Sequence, residues 1–141
     1  MVDQRDSRHI LGSANWVGRR VAPHVSVVGK VFLAEGEMPF PQGALEPAGP
    51  RSITDPVELR AELELTRARG YAIALDELEP GLWAVAAPVR DASGRVVAAL
   101  SVSGPTVRLE EGQLEELGRL VRDEAVVLST RNGYDTKRGA A

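Results

Sequence analysis

An α+β fold, an antiparallel sheet flanked by helices, follows from three features of this 141-residue sequence. Residues 82–103 read as two alternating strands around a tight turn. Residues 55–70 carry the start and stop signals of one helix, and residues 110–130 repeat apolar side chains at helical spacing.

The chain opens on a mixed, polar stretch, Met1–Pro23, with turn formers at Gly12, Ser13 and Asn15. In Val25–Ala34, spacings of three and four join Val28, Val31 and Phe32 and predict a short amphipathic helix. Its β-branched content leaves a strand open as the alternative. Gly36–Thr54 holds seven Gly or Pro residues and reads as an extended surface connection. A helix then starts at Thr54 or Asp55, either of which supplies a capping oxygen, with Pro56 in the first turn where its missing donor costs nothing. Leu59 and Leu63, with Ala61, Leu65 and Ala68, form its expected buried face, Glu62, Glu64, Arg67 and Arg69 its solvated one, and Gly70 its stop.

Tyr71–Leu75 reads as a strand, followed by the acidic turn Asp76–Gly81. Leu82–Val89 sets Trp83, Val85, Ala87 and Val89 against smaller residues. Asp91-Ala92-Ser93-Gly94 makes the turn, and Arg95–Ser103 returns until Gly104-Pro105 ends it. Strict alternation gives this last strand one face of Val96, Ala98, Leu100 and Val102, and another of Val97, Ala99, Ser101 and Ser103. Glu110–Thr130 is helical, with Leu114, Leu117, Val121, Ala125 and Leu128 in one stripe.

Composition narrows the function. Apolar residues make up 43% and charged residues 26%, an ordinary globular balance. No apolar run approaches the ~20 residues of a membrane helix, and no secretory signal opens the chain, so a cytoplasmic protein is expected. The absence of cysteine excludes disulfides, thiol nucleophiles and thiolate metal sites. With a net charge of −3 and no basic stripe, DNA binding by this chain alone is not expected. His9 and His24 have no partner at metal-ligand spacing, so neither a metal nor another cofactor is expected.

Two patterns carry possible chemistry. Asp76, Glu77 and Glu79 form an acidic cluster which, with Lys30, would serve a small α/β enzyme; the simpler reading is a solvated turn with Lys30 snorkelling. Ser101 and Ser103, two apart on a strand, present both hydroxyls on one face at the end of an apolar sheet, an arrangement that orients a small polar ligand. The alternative is that each bonds a neighbouring backbone group. Gly29-Lys30, at the head of a helix, offers N–H groups to an anion. Trp83 reads as core or groove wall.

The order of Gly18–His24, Val28–Ala34, Ile53–Pro56, Arg69–Tyr71, Glu79–Gly81, Val85–Val89 and Ala99–Pro105 resembles the C-terminal effector-binding domain of the IclR family of bacterial transcription regulators. The resemblance runs from about residue 16 to 134. It implies a GAF-like fold over residues 1–134, a loose tail at 135–141, and self-association as a dimer or tetramer. It also implies a small-molecule effector whose binding is read out by a separate winged-helix domain. That domain and the opening strands of this one are expected to lie outside the sequence. The family's pocket maps onto the backbone of Val27 and Val28 beside Gly29, and onto Ser101 and Ser103. In members that bind small oxo acids an acidic residue and a cysteine complete the pocket; their positions fall on Ala74 and Ala84, with Trp83 or Leu82 near the wall. A wider, less polar site for an aromatic or aliphatic carboxylate is therefore expected. A ligand-free GAF- or PAS-type interaction module is the remaining alternative.

Overall fold

The computed structural model describes residues 17–137, so Gly12, Ser13, Asn15, His9 and residues 138–141 of the tail lie outside the described residues. Ser26 decides between helix and strand for the first apolar run. Its Oγ accepts the N–H of Gly29 at 3.4 Å and caps helix α1, Val27–Ala34, behind a 3₁₀ turn at Pro23–Val25. Gly29 is required there: a Cβ at that position would stand 2.3 Å from the carbonyl oxygen of Pro23.

Helix α2, Pro56–Arg69, is capped by Asp55 Oδ1 on the N–H of Val57 at 2.8 Å and stopped by Gly70 at φ 81°. Its buried side chains are Leu59, Leu63 and Thr66. The spacing of four and three turns Leu65 outward to 58% exposure, with Ala61 and Ala68 also exposed, against the sequence expectation. Leu59 and Leu63 pack with Leu33, and with Leu45 and Ile53 from the Gly/Pro-rich segment, so α2 rests on α1 and that segment is partly core.

Strands β1 (Ala72–Leu75), β2 (Leu82–Arg90) and β3 (Val96–Pro105) form an antiparallel sheet in the order β1-β2-β3. The register places Ala74, Ala84 and Ser103 in one row, and Ala72, Ala86 and Ser101 in the next. These rows face α1, whose Val27 and Val31 cover Ala72, Ala74 and Ala86. The opposite face carries Trp83, Val85 and Ala87 against helix α3, Gln113–Arg131.

Three details depart from strict periodicity. Arg90 pairs with Val96 and Val89 with Ala98, so Val97 is an extra residue, a bulge. It swings Val96 to the α1 side, where it is buried beside Ala99, instead of joining Leu100 on the α3 side. Strand β3 runs through Pro105 rather than ending before Gly104, because Leu82 and Trp83 still pair with these two residues. Helix α3 starts at Gln113 rather than Glu110, after a 3₁₀ turn at Thr106–Arg108 and a left-handed Gly112. Its buried line is Leu114, Gly118, Val121, Ala125 and Ser129, which leaves Leu128 exposed. Among the described residues no helix is long and apolar enough to cross a membrane.

Candidate functional site

The α1 face of the sheet gathers most of the expected site residues. Val27 and Val28 pack in one apolar cluster with Ala74 and Ala84. Ser101 and Ser103 share that face through the register and are exposed, beyond the area that α1 covers. Among the described residues neither hydroxyl forms a hydrogen bond, so the alternative in which each binds a neighbouring backbone group does not occur here. The result is a floor of small side chains, closed under α1 and open toward β3. As the first two residues of α1, Val27 and Val28 have N–H groups without intrahelical acceptors, near the positive end of the helix dipole.

Two expected members do not join them. Trp83 stands on the α3 face, because neighbours on a strand point to opposite sides; its Nε1 donates to the carbonyl of Pro105 at 3.1 Å. Gly29 offers nothing to an anion, since its N–H is taken by Ser26 Oγ and its α-carbon lies against Pro23. The N–H of Lys30 likewise donates to Ser26 O at 2.8 Å.

Lys30 is the largest surprise relative to the sequence. Its side chain is 0% exposed, not snorkelling. Nζ donates to the carbonyl of Ile73 at 2.9 Å and lies 2.6 Å from Glu77 Oε2 and 3.7 Å from Glu62 Oε1. Lys30 and Glu77 thus form a close ion pair. Glu62 also accepts from Arg69 at 2.8 Å. Burial pushes the Glu77 carboxyl up from the ordinary glutamate range, and the Lys30 ammonium pulls against that shift. Glu77 is therefore no solvated turn residue, whereas Asp76 Oδ1 accepts the N–H of Gly81 and holds the turn. The cluster braces α1, α2 and β1; its lysine has no path to a substrate. A cleft of about 370 Å³ beside Arg51, Glu62 and Glu77, and another near Arg67 and Arg90, do not reach the serines.

Residues 1–130 match the family described as bacterial transcriptional regulator IclR C-terminal. The chain belongs to the IclR family. The HTH-type transcriptional regulator BhcR of Paracoccus denitrificans is 37% identical over 117 residues, 79% of this chain and 42% of that protein. The crystal structure of IclR from Thermotoga maritima superposes with a TM-score of 0.82 at 31% identity, covering 94% of this chain and 56% of the other. The inducer-binding domain of an Acinetobacter PobR double mutant, in complex with 3-hydroxybenzoic acid, superposes with a TM-score of 0.70 at 28% identity, covering 79% and 67%. This IclR-family domain spans about half the length of the curated relatives it matches.

Proposed function

We propose that this IclR-family domain is a non-enzymatic, cytoplasmic effector sensor that takes a small carboxylate on the α1 face of its sheet. The observation that carries the reading is the pair of unbonded hydroxyls, Ser101 and Ser103, beside Ala84 on an otherwise small and apolar floor. Those hydroxyls and the free N–H groups of Val27 and Val28 are donors of the kind that hold a carboxylate. With methyl groups at Ala74 and Ala84, the floor suits an aromatic or aliphatic acid better than a two-carbon one. The PobR domain bound to 3-hydroxybenzoic acid supports that class. DNA contact belongs to the part of the regulator outside this chain.

Calorimetric titration with a panel of carboxylates, including 3-hydroxybenzoate, tests the reading. A hydrogen bond to a charged group contributes about 1.5–3 kcal/mol, so Ser103→Ala weakens binding at least tenfold with an unchanged melting temperature. Equal affinity of parent and Ser103→Ala for the acid that binds, or a panel whose only binders are cations, refutes the assignment.

A further inference from the structure

Helix α1 is held to the sheet by two kinds of contact. Its contact with the floor is generic: Val27 and Val31 lie on Ala72, Ala74 and Ala86, small apolar groups whose attraction has no direction. Such a contact leaves the tilt of a short helix weakly defined. Directional ties stand toward its two ends. At the tail, Glu35 Oε2 pairs with Arg90 of β2 at 2.8 Å. Toward the head, Lys30 Nζ donates to Ile73 O at 2.9 Å and lies 2.6 Å from Glu77 Oε2. Ile73 immediately precedes Ala74, which shares its row with Ala84 and Ser103. The helix is thus tied to β1 one residue away from the floor of the site.

Both members of the Lys30–Glu77 pair are held from behind. The Glu77 carbonyl accepts the N–H of Gly49 at 2.8 Å and the hydroxyl of Ser52 at 2.6 Å. Asp76, just before it, has a left-handed φ of 55°, and its Oδ1 accepts the N–H of Gly81 at 2.7 Å. On the other side, the N–H of Lys30 donates to Ser26 O at 2.8 Å and closes the turn that presents Val27 and Val28. Lys30 stands about 4.5 Å along the helix axis from Val27, so a shift at one is carried to the other. A buried ion pair adds little net stability, because desolvation offsets the attraction. What it adds over an apolar pair is a defined position.

From these observations we infer that Lys30 and Glu77 are positioning residues for the site on the α1 face: the pair sets the tilt of α1, and with it where the N–H groups of Val27 and Val28 stand above Ala74. The inference rests on the reading of this face as a carboxylate site. A helix of 8 residues pivoting about the Glu35–Arg90 tie is a lever about 12 Å long. A tilt of roughly 5° then moves its head by about 1 Å. That is enough to carry an N–H···O contact out of the range of roughly 2.7–3.2 Å in which it binds. Neither residue touches the acid; both act through α1.

Two variants make the test. Glu77→Gln keeps the shape of its side chain and lies far along the chain from the amides to be read. In nitrogen–proton correlation spectra without ligand, it moves the amide signals of Val27 and Val28 and leaves those of α3 in place. Lys30→Met/Glu77→Leu removes one charge of each sign, so the net charge is unchanged and any effect on binding reports position. Calorimetric titration of this variant with 3-hydroxybenzoate shows affinity at least tenfold below the parent, while its melting temperature stays near the parent's. A pair that served stability alone would lose affinity only in step with that temperature. Unmoved Val27 and Val28 amides in Glu77→Gln overturn the inference, and so does parental affinity in the folded double variant. A parent that binds no acid refutes the carboxylate reading instead, and the ligand-free spectra of Glu77→Gln still decide whether the pair sets α1.

Discussion

Replacing Lys30 by methionine removes the ammonium from a fully buried site while keeping most of the volume of its stem. At 2.6 Å from Glu77 Oε2, two unit charges attract by about 6 kcal/mol at an effective dielectric of ~20. Burying each ion costs several kcal/mol, so the intact pair contributes little net stability. The broken pair is different. Lys30→Met leaves Glu77 buried beside Glu62 with its nearest counter-charge gone, which costs about 3–5 kcal/mol at pH 7. That is a large part of the 5–15 kcal/mol typical of a domain. The loss depends on pH. Because its folded-state value is raised, Glu77 favours the folded state most below the ordinary glutamate range near 4.3, and that contribution is lost as pH rises through the raised value. The Lys30→Met variant, whose Glu77 value is raised further, is thus less impaired near pH 4.5 than at pH 7. Urea unfolding followed by tryptophan fluorescence at the two pH values measures this. The paired variant Lys30→Met/Glu77→Leu recovers most of the deficit, since an apolar pair of similar volume removes both buried charges. A single variant within 1 kcal/mol of the parent at pH 7, or a double variant as weak as the single one, refutes the reasoning.

Two further substitutions probe how the elements around the site are held. Gly29→Ala drives a methyl group into the Pro23 backbone and costs about 1–3 kcal/mol by overpacking; calorimetry should show a melting temperature lower by several degrees, and an unchanged value contradicts the close approach. Ser129→Ala strands the N–H of Arg90, which donates to Ser129 Oγ at 2.9 Å beside the bulge, at a cost of about 1–3 kcal/mol. Faster exchange of the Arg90 amide together with a lower urea midpoint is expected, and parental behaviour of both would show the bond to be dispensable.

Local signals carried well from sequence to structure. Asp55, Pro56 and Gly70 bound α2 because capping and turn chemistry act within a few residues. Ser101 and Ser103 share a face because nothing interrupts the alternation between them. The same rule separates adjacent Trp83 and Ala84, so of the two residues offered for the wall, Trp83 or Leu82, only Leu82 shares the face of Ala84. The bulge was not legible: an extra residue in one strand shows only against its partner, and it moved Val96 across the sheet. Nor was the fate of Lys30, whose partners Ile73, Glu62 and Glu77 come from elements far along the chain. A snorkelling lysine and a buried one have the same local sequence. Leu65 and Leu128 failed for a related reason. Helical spacing defines a stripe, but the neighbour that covers it decides how wide the stripe is.

The bulge at Val97 also isolates the serines from the hairpin turn. Toward Pro105, the phase of β3 is held by contacts of its own: the indole of Trp83 lies so close to Gly104 that a Cβ there would come within 2.7 Å of the ring, and Nε1 grips the Pro105 carbonyl. Toward Arg95, the chain has one spare residue that takes up slack. Changes in length or sequence across Asp91–Arg95 are therefore absorbed at Val97, and the orientation of Ser101 and Ser103 does not inherit them. The tip of the hairpin is thereby free to change without turning the two serines to the other face of the sheet.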